Sequence, residues 1–141
     1  MAQGKKEVKK NNIKSTFIVD TENGKKIYNK RTEFDKNGEA SEEMDYDKDG
    51  ILKSTKRYKF NKEGDVIEEE DIDEKTKQSE KHQYTYNKLG EKTEEKILDG
   101  SGKLLKTHFY TYNARGLKTE RKTVDASGKT TCIRNYVYEY H

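Results

Sequence analysis

Apolar side chains in this chain do not follow the i, i+3, i+4 rhythm of a helix with one buried face. They recur at i and i+2 in short segments such as LLKTHFYTY (104–112), KQSEKHQYTY (77–86) and KTTCIRNYVYEY (129–140), which are rich in Tyr, Phe and Thr. Side chains two residues apart point to the same face of a strand, so these segments are predicted as β-strands. In 104–112, Leu104, Lys106, His108, Tyr110 and Tyr112 fall on one face, and Leu105, Thr107, Phe109 and Thr111 on the other. Alternate segments, such as EKTEEKIL and LKTERKTV, are more polar and keep one apolar anchor near the end, at Ile72, Leu98 or Val124.

The pattern repeats. Tyr58, Tyr84, Tyr110 and Tyr136 stand 26 residues apart, and Phe60, Tyr86, Tyr112 and Tyr138 keep step two positions later. Asn61, Asn87 and Asn113 follow, then Gly64, Gly90 and Gly116, with Gly38 ahead of them. Half a period away lie Gly24, Gly50, Gly102 and Gly128, with Thr76 in the missing place and Asp47, Asp73, Asp99 and Asp125 three positions before. Units 84–109 and 110–135 are identical at 13 of 26 positions, the mark of an internal duplication. Asx and Gly at fixed offsets are hairpin chemistry, because Gly adopts the positive φ that other residues resist.

The predicted fold is therefore all-β: an antiparallel β-meander of about nine strands built from 26-residue, two-strand repeats. Units fall at about 32–57, 58–83, 84–109 and 110–135, with partial units at both ends. An open twisted sheet with a thin aromatic core is expected, held by backbone ladders and cross-strand pairs worth about 0.2–1 kcal/mol each. Such an array draws stability from neighbouring repeats.

Composition changes one part of this picture. Charged residues make up 40% of the chain, and Leu, Ile, Val and Phe together only 23 of 141, a balance that without the repeat would point to disorder. The 26-residue register places the scarce apolar groups in the same columns each time, so an ordered sheet is expected instead. Of the net charge of +3, +4 belongs to residues 1–14 (five Lys, one Glu), read as a flexible basic tail preceding a single domain at 15–141. The body sums to −1 with Lys and Glu interleaved, so no concentrated basic face and no nucleic-acid partner is expected. No apolar run is long enough for a membrane-spanning helix. Met1-Ala2-Gln3 resembles the residue of a signal-peptidase cut preceded by an added Met, so an exported protein, secreted, periplasmic or at the cell surface, is expected.

Y-x-[FY]-N-x-x-G followed half a unit later by D-x-x-G-K resembles the tyrosine-aspartate (YD) repeats of the RHS class of bacterial exported and surface proteins, over residues 32–141. That resemblance implies long β-sheets, spiralling into shells in some members, and a place among cell-surface and carbohydrate-contacting proteins. The chain departs from the pattern at Asn61, Asn87 and Asn113, where Asp is usual, and in its slightly longer period.

Candidate chemistry is sparse. Asp45, Asp47 and Asp49, followed by Gly50, match the start of a calcium loop, but the twelfth position is Lys56 where a bidentate Glu is needed, so a hairpin turn is expected. His82 and His108 share a column two strands apart, too far to share a zinc; Cys132 and His141 add no ligand set. No nucleophile motif and no apolar pocket for a general acid is evident, so neither an enzyme nor a cofactor is expected. The tyrosine ladder remains: Tyr58, Tyr84, Tyr86, Tyr110, Tyr112, Tyr136 and Tyr138. Buried, it is the core; exposed, it suits stacking on sugars or gripping an extended partner. The expected function is a non-catalytic structural or macromolecule-binding role at the cell envelope, with a polysaccharide or an envelope protein as partner. The alternative is a carbohydrate-binding module using the ladder.

Overall fold

A chain of alternating half-apolar segments and Asx-Gly turns has one economical solution, in which each segment pairs antiparallel with the next. The computed structural model describes residues 4–141. One helix, α1 (Lys5–Lys10), is followed by ten strands: β1 (Ser15–Glu22), β2 (Lys25–Phe34), β3 (Ala40–Tyr46), β4 (Leu52–Phe60), β5 (Val66–Asp73), β6 (Ser79–Tyr86), β7 (Lys92–Asp99), β8 (Leu104–Tyr112), β9 (Lys118–Asp125) and β10 (Thr130–Asn135). The protein is an all-β antiparallel meander, with one strand more than the nine expected. Two compact units divide at Ser79/Glu80. Within the first, β1 to β5 pair in chain order. Within the second, β6 to β10 do the same. Strands β3, β5, β7 and β9 begin at Ala40, Val66, Lys92 and Lys118, 26 residues apart.

The turns show why Asx and Gly occupy their columns. At Asp99 the main-chain N–H donates to the Lys103 carbonyl (2.9 Å), and the Gly102 N–H donates back to the Asp99 carbonyl (3.0 Å). The Asp99 side-chain oxygen accepts from the Ser101 and Lys103 N–H groups at 2.9 and 3.0 Å. The same backbone exchange closes the turns at Asp35, Asp47, Asn61, Asn87, Asn113 and Asp125. The turn at Asp73 differs, because Thr76 stands where Gly is usual. It is one residue longer, closing from Asp73 N–H to the Gln78 carbonyl, and Lys77 takes a left-handed φ of 61°. A left-handed non-Gly residue costs about 1–2 kcal/mol, partly offset for Gly by its unfolded-state entropy. Lys77→Gly is therefore expected to stabilise the protein by about 0.5–1 kcal/mol in urea unfolding; a loss of stability would contradict this account of the turn.

Where the composition suggested a flexible tail, α1 is seated on the turn between β2 and β3. A Cβ on Gly38, whose φ is +82°, would meet the Lys5 carbonyl oxygen at 2.6 Å. Lys5 pairs with Glu39, and Val8 is only 1% exposed. Residues 1–3, on which the processing reading rests, lie outside the described residues. No helix among the described residues is long and apolar enough to cross a membrane.

The aromatic core needs correction. Among the described residues, Val8 and Ile97 (4% exposed) are the buried apolar ones; Thr55, Thr107, Thr123 and His108 are buried as well. Tyr58, Tyr84, Tyr86, Tyr110, Tyr112 and Tyr136 are half-buried, and Tyr138 is exposed. Among the described residues, α1 is the one regular element besides the strands. Tyr84, Tyr110 and Tyr136 are partly covered by Lys92 and Lys118, long side chains that shield apolar surface while their charges stay wet.

Candidate functional site

Antiparallel register decides which side chains share the tyrosine face. In the second unit Tyr84 lies opposite Glu95, Glu95 opposite His108, and His108 opposite Thr123. Tyr110 lies opposite Arg121, and Arg121 opposite Arg134.

The rings alternate with ammonium groups. Lys92 Nζ sits 4.6 Å from the Tyr84 ring centroid and 5.5 Å from that of Tyr110. Lys118 Nζ repeats the arrangement at 4.4 Å from Tyr110 and 5.7 Å from Tyr136. Each contact is worth about 0.5–1 kcal/mol at a partly wet site. The hydroxyls in the second column close the fold: Tyr112 donates to the Lys92 carbonyl and Tyr138 to the Lys118 carbonyl, both at 2.6 Å. Tyr112 and Tyr138 thus serve as staples between hairpins, while Tyr84, Tyr110 and Tyr136 alternate with lysines along one stripe. Tyr86, half-buried, ends β6.

Glu95 is the hub of this face. It accepts from His82 Nδ1 at 2.7 Å and from the Tyr110 hydroxyl at 3.1 Å, and Lys92 Nζ lies 3.6 Å away. Burial pushes its carboxyl pKa up, but the His82 bond, the Lys92 charge and the Tyr110 bond outweigh that and hold it below the ordinary value. The His108 pKa is lowered, first by burial and then by the charges of Arg121, Lys106 and His82, against the opposing pull of Glu95. Its Nδ1 is bonded to Thr123 Oγ1 at 2.8 Å. The two histidines thus have separate partners, and among the described residues no three His, Cys, Asp or Glu side chains converge as a metal site.

In the first unit, taken by itself, the surroundings of Tyr58 are acidic. Burial, and then the charges of Glu43, Glu69, Asp71 and Asp45, push the Tyr58 hydroxyl up to about 12. Burial and Glu95 do the same for Tyr110, also to about 12. A raised tyrosine pKa contributes stability that is complete below the unfolded value near 10 and lost as pH rises through the folded value. Spectrophotometric titration at 295 nm is therefore expected to leave an absorbance step near pH 12, diminished in Tyr110→Phe; complete ionisation by pH 11 would contradict the burial of both hydroxyls. Near Tyr58 and Phe60 a groove of about 750 Å³ opens under α1, lined also by Lys5, Lys9 and Ile67.

Of the calcium candidates, Asp47 is engaged by its own turn: its Oδ1 accepts the Asp49 and Ile51 N–H groups at 2.9 and 3.0 Å. Asp45 faces the Ser54 hydroxyl at 3.5 Å, and Asp49 is exposed in the turn. Backbone donors hold the Asp47 pKa low, led by Ile51, and Asp99 and Asp125 are lowered first by the Ser101 and Ser127 hydroxyls. Cys132 is free and exposed on β10, opposite Thr123.

One feature of the face escaped the sequence reading. Lys30 on β2 pairs with Glu43 on β3 at 3.4 Å, and His82 on β6 with Glu95 on β7 at 2.7 Å. Both pairs join residues 13 apart. The same step from His108 reaches Arg121, a base where the column carries an acid. The signal was visible as Lys30, Lys56, His82, His108 and Arg134 in one column and Glu43, Glu69, Glu95 and Arg121 in the other. Arg121 has its Nε buried with no hydrogen-bond partner, and among the described residues neither Arg121 nor Arg134 has an ion pair. Comparison with protein-family models and with curated proteins gave no match.

Proposed function

We propose that this protein is a non-catalytic, exported β-repeat module that binds a macromolecule of the cell envelope through its tyrosine face, as the resemblance to RHS-type YD repeats implies. The observation that carries this reading is the half-buried stripe Tyr84, Lys92, Tyr110, Lys118, Tyr136, in which flat rings and ammonium groups alternate. Tyr offers large contact area at low entropy cost, and the lysines add attraction for negative charge. A neutral sugar stacking on these rings would have to displace Lys92 and Lys118. A negatively charged polymer would instead engage the lysines where they stand.

The test is an array of envelope polymers and glycans probed with the intact protein. Binding of at least one polymer, weakened tenfold or more in Tyr84→Ala and Tyr110→Ala variants whose folding is checked by circular dichroism, is the expected result. Binding to no polymer, or binding indifferent to both substitutions, would overturn the proposal. Preference for neutral glycans over charged polymers would favour the alternative, a carbohydrate-binding module that stacks sugars on the bare ladder.

A further inference from the structure

Each unit carries base–acid pairs at a spacing of 13, and in the second unit the last acid of that pattern is missing. Lys30 meets Glu43 and His82 meets Glu95, each 13 residues on. Thirteen residues beyond His108 stands Arg121. Its neighbours across the sheet are Tyr110 on one side and Arg134 on the other, and His108 has turned to Thr123 instead. Like charges directly opposite on adjacent strands repel, and a buried guanidinium nitrogen without a partner costs free energy. Relative to the Glu95 repeat the rest is kept: a tyrosine opposite, a lysine over its ring, and a base on the next strand. Tyr110 keeps Glu95 on its β7 side, and the group lacking is a second carboxylate on its β9 side, at the place of Arg121.

We infer that Arg121 and Arg134 bind the carboxylate of a uronate-bearing sugar chain. The inference rests on the tyrosine face being the binding surface. Arginine presents paired donors that match a carboxylate, so an incoming uronate would supply the acid that Glu95 supplies one repeat earlier. Lys118, lying between the Tyr110 and Tyr136 rings, adds a second positive charge along the path of the chain. The sugar rings would then lie against the partly exposed edges of Tyr110 and Tyr136. A carboxylate is favoured over other anions because that is the group the column itself places at this position in the repeats before.

The probe is polygalacturonate, titrated into the full chain at physiological salt, with neutral dextran and polyglutamate as comparison polymers. Wild-type protein is expected to bind polygalacturonate at least tenfold more tightly than either. Arg121→Glu is expected to lose at least tenfold of that affinity, and without ligand to melt about 2–4 °C higher, because it restores the acid to the column. Arg121→Gln, which neither repels nor pairs, should lie between them in affinity. Binding unchanged in both variants overturns the site, while the wider proposal survives if Tyr84→Ala and Tyr110→Ala still abolish it. Equal binding of polyglutamate overturns the sugar chain as carrier and points to an acidic protein. None of the three polymers bound by the wild type overturns the uronate site, while the wider reading falls only if the envelope-polymer array also gives no binding.

Discussion

Replacing Glu95 by Ala is expected to destabilise the protein by about 2–3 kcal/mol, the range for removing a well-shielded carboxylate that accepts charge-assisted bonds. The side chain of Glu95 is only 12% exposed, and its loss strands His82 Nδ1 and the Tyr110 hydroxyl together. Glu94, one residue away and on the opposite face, is 27% exposed and meets the 51% exposed Lys96 only at 3.8 Å. Glu94→Ala is therefore expected to cost less than about 0.5 kcal/mol. Urea unfolding of the two variants side by side checks the contrast, and equal losses would show that the tyrosine face has no special role in stability. The pH dependence follows from the same groups. Glu95 has a lowered pKa, so its contribution is present above the unfolded value near 4.5 and is lost as pH falls through the folded one. His108 is also lowered and resists protonation in the folded state, so its contribution is present above about 6.5 and declines on acidification. Both act in one direction, so stability is expected to fall on acidification in two steps, one below about 6.5 from His108 and one below about 4.5 from Glu95, and the lower step is expected to be missing in Glu95→Ala.

Ile97→Ala is expected to have a comparable effect, about 2–4 kcal/mol. Ile97 is the buried aliphatic residue of the second unit, 4% exposed, and lies opposite His82 on β6 and Lys106 on β8. Its truncation removes apolar contact at a place where no second layer can settle inward to fill the space. Leu105→Ala, at a side chain 44% exposed on the other face of β8, should cost less than about 1 kcal/mol. Thermal unfolding of the pair measures the difference; equal melting temperatures would mean that the burial at Ile97 contributes little.

The strands and turns were legible because they depend on local chemistry. Asp99, Ser101, Gly102 and Lys103 form a self-contained turn in which each residue type has its own hydrogen bond, and that logic can be read without knowing the fold. The alternation in 104–112 likewise fixed which residues share a face with Tyr110. What escaped the sequence reading depends on partners distant in the chain. Helix α1 is six residues with a single apolar side chain, Val8, too short to announce itself by periodicity, and it exists because Gly38 leaves room for it. Strand β1 lacks the tyrosine columns and carries Phe17, Ile18 and Val19 instead, so it falls outside the full repeat units at 32–135. The tyrosines were expected as a core because aromatic content was weighed without their hydroxyls and their lysine neighbours. Tyr112 and Tyr138 use those hydroxyls as staples, which leaves the rings at the surface. The base–acid column lies open in the sequence at a spacing of 13, but an antiparallel register is needed to see that Lys30 and Glu43, or His82 and Glu95, meet diagonally across adjacent strands.

At the centre of this account is a sheet held by cross-strand polar pairs, hairpin turns and partly wet tyrosines, with very little apolar surface buried. Scanning calorimetry tests that claim most directly through the heat capacity of unfolding, which reports apolar surface exposed. An ordinary domain of 141 residues would show about 1.7–2.1 kcal/mol/K. A cooperative transition with a heat-capacity change below about 1 kcal/mol/K is the result expected here. A value in the ordinary range would mean that the tyrosines and aliphatics are buried as a conventional core, and would contradict the account.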